Sequence, residues 1–124
     1  MTEQQTRAST VEAVNQFNEA FNRRDVDAIM EMMTLNCVFE NTAPPRGRRY
    51  EGQAAVRSAW EELFNSTPGT VFDFEEIFAC GDRCVVRWAF HWTDQNGKKG
   101  QVRGVDIFRI QDGKVAEKLS YVKG

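Results

Sequence analysis

One carboxylate stands out because it lies within the apolar segment GVDIF, residues 104–108. A carboxylate on a buried strand face loses its hydration, so it is paired with a cation, protonated or used in chemistry. Two roles stay open for Asp106. It would act on a ligand as an acid, a base or a hydrogen-bond donor, or it would form a structural ion pair with Lys118 or a hydrogen bond to the backbone.

Three other polar side chains could reach a ligand beside Asp106. The Lys118 amine would be a nucleophile if apolar walls lowered its pKa, although lysines usually place the ammonium group in water. Asn41 and Ser120 could orient a polar group of the ligand. Alternatively, Asn41 belongs to the turn before APP, and Ser120 is a small residue on a crowded strand.

Length and composition are those of an ordinary globular domain. The 124 residues suit one domain over the whole chain, and nine Phe and three Trp predict a core rich in aromatic rings. The net charge of −2 and the short basic run RGRR give no basis for binding nucleic acid or a membrane surface. We therefore expect neither of these partners.

The three cysteines, Cys37, Cys80 and Cys84, lack the spacing of a metal site, and we expect neither a metal nor another cofactor. Cys80 and Cys84 flank a tight turn and could approach one another, but reduced thiols are usual in the cytosol and are expected here. The polar start MTEQQTRAST does not resemble a signal peptide, and no apolar run has the length of a membrane span. A cytoplasmic location is therefore expected.

Helical patterns fill the first half of the chain. Ser9 and Glu12 have the spacing of a capping box, which predicts a first helix over about residues 10–22. Asp25 can cap a short second helix, and a third is predicted over about residues 53–65, ended by STPG. The inward face of the second helix would hold Val26, Ile29, Met30 and Met33.

Strand patterns fill the second half. A short strand is predicted at residues 37–39, and four longer ones follow, which read VFDFEEIFA, CVVRWAFHW, QVRGVDIFRI and KVAEKLSYV. Helices and strands are segregated along the chain, and tight turns join the last four strands. We therefore predict an α+β fold with three N-terminal helices packed on a strongly curved antiparallel or mixed sheet.

The last hairpin can pair in two registers. A two-residue turn at Asp112 and Gly113 would place Asp106 opposite Leu119. A three-residue turn with a bulge at Gly113 would instead place Asp106 opposite Lys118. We favour the second register, because it gives a carboxylate on the buried side a cationic partner.

The two faces of CVVRWAFHW differ in character. Alternation places its aromatic residues toward the helices, and it places Arg87 and His91 on the opposite face, near Val105, Ile107 and Tyr121. Mixed polar and aliphatic character on an open sheet face is typical of a subunit interface. We therefore predict a homodimer through this face.

Three motifs, in order, resemble the SnoaL-like branch of the nuclear transport factor 2-like superfamily: FNEAFNRRDVDAIMEMM, GQAAVRSAWEELF and GVDIFRIQDGKVAEKLSYV. The resemblance covers about residues 11–122. It implies a cone in which a bent sheet closes around a hydrophobic pocket capped by the helices, and commonly a dimer. Ketosteroid isomerases, polyketide cyclases, epoxide hydrolases, dehydratases and binding proteins share this fold, so the fold does not decide the function.

The catalytic groups of these enzymes are only partly present. Asp106 matches the oxyanion-hole aspartic acid of the ketosteroid isomerases. However, Phe17 stands where those enzymes have a tyrosine, and Asn41 stands at about the position of their general base. Ser120 stands where the epoxide hydrolases of the family have an acidic residue. The polyketide cyclases use a His–Asp arrangement, and His91 would face away from Asp106.

The resemblance and the residues together lead us to expect that a small, largely apolar organic molecule binds between helices and sheet, with Asp106 as its main polar contact. The residues predicted to line this pocket are Phe17, Asn41, Trp60, Trp88, Phe90, Phe108, Lys118 and Ser120. Two functions stay open. A binding protein without catalysis fits the missing groups, whereas a cofactor-independent isomerase, cyclase or lyase would use Asp106 to move a proton or to stabilise an enolate.

Overall fold

The structure is a computed structural model that describes residues 2–123. Its helices and strands follow one another in the order α1 (Glu3–Asn22), α2 (Val26–Glu31), β1 (Met33–Glu40), β2 (Arg49–Glu51), α3 (Gln53–Ser66), β3 (Val71–Cys80), β4 (Arg83–Thr93), β5 (Lys99–Gln111) and β6 (Lys114–Val122). Among these residues, no helix combines the length and the apolar character that a membrane crossing needs.

The first helix begins at Glu3 and not near Thr10, so the start predicted from Ser9 is wrong. Thr2 is the N-cap, and its side chain accepts a hydrogen bond from the Gln5 backbone N–H while the Gln5 side chain accepts one from the Thr2 backbone N–H. This capping box has the same spacing as the one predicted. The residues between the two boxes contain neither Pro nor Gly, so nothing ends the helix before the second box.

The segment after α1 follows the prediction in part. Asp25 caps α2, and its side chain accepts a hydrogen bond from the Ala28 backbone N–H at 3.1 Å. Met33, predicted on the inward face of α2, instead begins β1, which is longer than the strand predicted at residues 37–39. The three-residue strand β2 was not predicted, because it is too short to show alternation.

The six strands form one mixed sheet in the order β2-β1-β6-β5-β4-β3. Successive strands from β3 to β6 pair antiparallel through their hairpins, whereas β1 lies parallel to β6. The helices pack on one face, which we call the inner face. The predicted α+β class, with three N-terminal helices on a mixed sheet, is confirmed.

Both predicted registers of the last hairpin are wrong, because Asp106 lies opposite Ser120. The turn is the two-residue one, and Asp112 and Gly113 both have positive φ, at 52° and 77°. Beyond the turn, a bulge at Ala116 adds one residue to β6 and shifts the pairing by one position. The sequence pattern did not show this bulge.

Side chains of the inner face and the helices form the core. Its largest fully buried members are Trp60, Phe17, Phe108, Ile29, Met33, Val14, Val56, Val86, Val115, Cys37 and Cys84. Aromatic contacts join the helices to the sheet, since the ring centroids of Phe17 and Phe108 are 5.6 Å apart and those of Trp60 and Phe39 are 4.2 Å apart. Packing of this kind fixes β5 under α1.

The opposite, outer face of the sheet carries charged pairs between neighbouring strands. His91 Nε2 lies 2.9 Å from Asp73 Oδ2, and Arg87 Nε lies 3.3 Å from Glu76 Oε1. Tyr121, on the same face, is 52% exposed. The face therefore combines ion pairs with exposed apolar surface.

All three cysteines are free thiols. Cys84 is fully buried on the inner face, whereas Cys80 is exposed on the outer face of the adjoining strand. Because the two side chains point to opposite faces of the sheet, they do not approach one another across the turn.

Candidate functional site

A cavity of about 870 Å³ opens between the inner face of the sheet and the C-terminal part of α3. Apolar side chains form its walls, polar residues surround its mouth, and three polar side chains lie at its inner end. The lining residues are Phe21, Phe39, Asn41, Thr42, Leu63, Asn65, Ser66, Thr67, Pro68, Phe72, Trp88, Phe90, Trp92, Thr93, Asp94, Gln95, Asn96, Val102, Asp106, Lys118 and Ser120.

Four aromatic rings from β3 and β4 form a continuous wall of this cavity. The ring centroid of Phe72 lies 4.5 Å from that of Phe90 and 5.4 Å from that of Trp88, and Phe90 lies 5.8 Å from Trp92. Alternation along β4 brings three of these rings to one face, because successive side chains of a strand point to opposite faces. The wall can therefore contact the flat, apolar part of a ligand.

Two glycines on β5 make room for the two tryptophans of this wall. Trp88 pairs with Gly104 across the ladder, and Trp92 pairs with Gly100. A Cβ atom on Gly104 would come within 2.6 Å of the Trp88 ring, and one on Gly100 would come within 2.3 Å of the Trp92 ring. Any larger residue at either position would push an indole out of its present place.

The loop between α3 and β3 forms one side of the mouth, and Arg24 holds it. The guanidinium donates to the Phe64 carbonyl oxygen at 2.9 Å and also to the Thr67 carbonyl oxygen and the Thr70 hydroxyl. Arg24 itself has a positive φ of 59° just after α1. One side chain thus fixes the position of Thr67 and Pro68 at the mouth.

Three polar side chains of β5 and β6 meet at the inner end of the cavity. The Ser120 hydroxyl donates to Asp106 Oδ1 at 2.7 Å, and Lys118 Nζ lies 3.5 Å from both Asp106 Oδ2 and Ser120 Oγ. The bulge at Ala116 creates this arrangement, because it sets Ser120 directly opposite Asp106 while Lys118 remains on the same face. Each carboxyl oxygen of Asp106 thus has a polar neighbour on β6.

Lys118 is unusual because its ammonium group is buried among aromatic rings. Nζ lies 4.8 Å from the ring centroid of Phe21, 5.1 Å from that of Phe39 and 5.2 Å from that of Trp60. The faces of aromatic rings attract cations, so these rings stabilise the charged form in part. Burial nevertheless lowers the pKa of the Lys118 amine, and the Asp106 carboxylate acts in the opposite direction.

The structure places the predicted pocket residues in two groups. The cavity walls include Asp106 and five more of them: Asn41, Trp88, Phe90, Lys118 and Ser120. The prediction that Phe17, Trp60 and Phe108 line the cavity is corrected, because these three side chains are fully buried in the core below it. They contact the helices and one another, so a ligand in the cavity would not touch them.

Four aromatic cavity residues, Phe21, Phe39, Phe72 and Trp92, were not predicted. Trp92 continues the alternation of Trp88 and Phe90 and was recognisable from that pattern. Phe21 is one helical turn beyond Phe17, at the end of α1 that lies over the cavity. The positions of the other two depend on strand pairing, which the sequence pattern does not show.

Asn41 lines the cavity but also has a structural role in its own loop. Its side-chain oxygen accepts hydrogen bonds from the backbone N–H groups of Ala43 at 3.0 Å and Arg48 at 2.7 Å. Both roles considered for this residue are thus compatible with its position, since the loop uses the amide oxygen while the residue forms part of the wall.

His91, Glu40 and Cys84 lie away from the cavity. His91 is on the outer face, paired with Asp73, and Glu40 is paired with Arg49 at 2.8 Å. Burial raises the pKa of the Cys84 thiol to about 11, so this residue stays in the unreactive thiol form in the core. Asp94 lines the cavity, but its side chain accepts hydrogen bonds from the Asn96 and Lys98 backbone N–H groups, both at 2.8 Å. The reactive groups at the inner end of the cavity are therefore Asp106 and its neighbours.

Solved structures of similar fold include relatives at three levels of sequence identity. A nuclear transport factor 2-like protein of unknown function from Mesorhizobium loti is 40% identical, with a TM-score of 0.80 over 94% of this chain and 93% of that one. SalBIII, an epoxide hydrolase/cyclase-like enzyme with a role in pyran ring formation in salinomycin, is 25% identical (TM-score 0.80; 92% and 90% covered). TerC, co-crystallised with polyporic acid, is 19% identical (TM-score 0.81; 93% and 92% covered) and shows the fold alone.

The sequence comparison with protein families agrees with these structures. No curated protein sequence matches the chain significantly. The family model of the SnoaL-like domain matches residues 14–118, a range that begins within α1, includes Asp106 and Lys118 and ends within β6. The chain therefore belongs to the SnoaL-like family, within the nuclear transport factor 2-like fold.

Proposed function

We propose that the protein binds a small, largely apolar organic molecule whose one polar end carries an oxygen atom. A single observation carries this proposal: a cavity walled by aromatic rings ends on the buried Asp106 and Lys118 and the half-buried Ser120. Small-molecule sites commonly combine apolar walls with a few convergent polar groups. The Lys118 ammonium group would donate to the ligand oxygen, and the rings would contact the remainder of the molecule.

Occupation of the cavity can be tested with a naphthol, which has a flat apolar body and one hydroxyl group. Titration should quench the fluorescence of Trp88 and Trp92 and give a dissociation constant in the micromolar range. Val102→Trp, which places an indole in the cavity, should abolish this binding. Leu35→Trp is the matched control, because Leu35 is 87% exposed on β1, away from the cavity. Equal affinity in both variants would contradict the proposal.

A proton-transfer enzyme is the second candidate, and the 3.5 Å contact between Asp106 and Lys118 favours it. Asp106 would remove a proton next to a carbonyl group, and the Lys118 ammonium would stabilise the enolate oxygen. The cyclase-like chemistry of SalBIII also supports it. Exchange of the methyl protons of acetophenone in heavy water, followed by NMR, should then be faster with the wild type than with Asp106→Asn. Equal rates would contradict the proton-transfer function, and only the binding function would remain.

The homodimer expected from the outer face is part of the same proposal. Tyr121 and Phe78 are more than half exposed on this face, beside the cross-strand ion pairs. A second copy would cover this apolar surface and leave the cavity, on the other side of the sheet, open. Light scattering at micromolar concentration checks this, and a monomer would contradict it.

A further inference from the structure

We propose that the amine of Lys118 condenses reversibly with the carbonyl group of an aldehyde or ketone in the cavity, forming an imine. This deepens the proposed function and rests on it, because the cavity must first admit the ligand. It also assigns the ligand to a chemical class, the apolar carbonyl compounds. Lys118 would then bind the ligand covalently rather than only donate a hydrogen bond.

The position of the amine is the first argument. Lysines usually extend along apolar surface and leave the ammonium group in water, but Lys118 is only 5% exposed. Its Nζ is held between Asp106, Ser120 and the faces of three rings, two of which, Phe21 and Phe39, are also cavity walls. The nitrogen is therefore fixed at the inner end of the cavity, where a carbonyl carbon would arrive.

The means of removing a proton from the amine is the second argument, since only the neutral amine is a nucleophile. Asp106 is the single carboxylate within ion-pair distance of Nζ in residues 2–123. Transfer of one proton from the Lys118 ammonium to Asp106 replaces two buried charges by two neutral groups. Burial favours this transfer, in agreement with the lowered pKa of Lys118.

The two groups can complete the condensation without any co-reactant. The neutral amine attacks the carbonyl carbon, a carbon–nitrogen bond forms as the carbon–oxygen double bond opens, and one proton passes from the attacking nitrogen to the oxygen to give a carbinolamine. Asp106, now a carboxylic acid, returns its proton to the departing hydroxyl, which leaves as water while the carbon–nitrogen double bond forms as a protonated imine paired with the Asp106 carboxylate. Water attack on the imine reverses these steps. Ser120 holds Asp106 in place throughout through its 2.7 Å hydrogen bond.

Benzoylacetone is a suitable probe, because this aromatic β-diketone forms a stable conjugated enaminone with a neutral amine. The full-length protein should gain the mass of one diketone minus one water at neutral pH. Peptide mapping should place the adduct on Lys118, labelled at least about tenfold faster than Lys114, which is exposed on the same strand. Even labelling of exposed lysines, or none at Lys118, would overturn the imine.

Two variants and a second probe complete this experiment. Lys118→Met should lose the adduct, and Lys114→Arg should keep it. The peptide map of the wild-type protein tests the imine even if a variant does not fold. The diol obtained by reducing both carbonyl groups of benzoylacetone tests binding alone, through tryptophan quenching. If the diol binds and the diketone labels nothing, the proposed function stands and the imine is wrong. If neither probe binds, both proposals fail for aromatic ligands of this size.

Discussion

The inner face of the sheet has two ends that share one sequence pattern and differ in structure. Along β4, Cys84 and Val86 are fully buried under the helices, whereas Phe90 and Trp92, further along the same alternating row, are partly exposed in the cavity. β5 repeats this order, since Phe108 is in the core and Val102 lines the cavity.

The difference between the two ends shows that alternation predicts the face on which a side chain lies. It does not predict which helix or loop covers that face. At the packed end, α1 lies close enough for Phe17 to contact Phe108. At the cavity end, α1 contributes only Phe21 before it ends at Asn22, and the end of α3 and its loop also stand opposite the rings. Asp106 lies at the boundary, where packing ends and the cavity begins.

The largest effect should come from removing a ring at the packed end. Phe108→Ala would leave a void among rigid neighbours and should lower the free energy of unfolding by about 4 kcal/mol. Phe90→Ala at the cavity end should lower it by no more than about 1.5 kcal/mol, because its ring already borders an open space. Urea denaturation of both variants measures this contrast. Similar losses would mean that the cavity end is packed as tightly as the core.

An intermediate effect should come from the ion pair at the boundary. Lys118→Met leaves the Asp106 carboxylate buried without its cation and should lower the free energy of unfolding by about 3 kcal/mol. The double variant Lys118→Met with Asp106→Asn carries no buried charge and should recover about half of this loss. A double variant no more stable than Lys118→Met would show that the charge of Asp106 is not what makes the single substitution costly.

The same pair gives the stability a dependence on pH. Burial lowers the pKa of Lys118 below its ordinary value of 10.5, so on raising the pH the folded state loses this proton before the unfolded state does. Between the two pKa values the unfolded state binds more protons, and the free energy of unfolding should therefore rise with pH. Subtracting the profile of Lys118→Met from that of the wild type isolates this rise, and a falling difference would contradict it.

Much of the fold could be predicted from local patterns, because capping, periodicity and turn residues act over a few positions. The N-cap at Asp25, the start of α3 at Gln53 and the four long strands follow from such signals. β2 and the length of β1 did not, because short strands are stabilised by their partners and not by their own sequence.

The candidate site was predictable in its chemistry and less so in its geometry. An aspartate among apolar residues pointed to Asp106, and a cationic partner on β6 pointed to Lys118. Their arrangement with Ser120 depends on the bulge at Ala116, which has no turn residue or glycine to mark it. Which rings line the cavity depends on where α1 ends relative to the sheet, and that is a matter of tertiary packing.

The smallest effect should come from an ion pair that lies outside both ends of the inner face. Arg57 Nη1 lies 2.9 Å from Asp27 Oδ1, closer than the atoms of the Lys118–Asp106 pair, but both side chains are in solvent. Water already solvates these charges, so Arg57→Ala should change the free energy of unfolding by no more than about 0.5 kcal/mol. Raising the salt concentration should reduce even this difference. A loss comparable to that of Lys118→Met would mean that distance, and not burial, determines how strongly an ion pair matters in this protein.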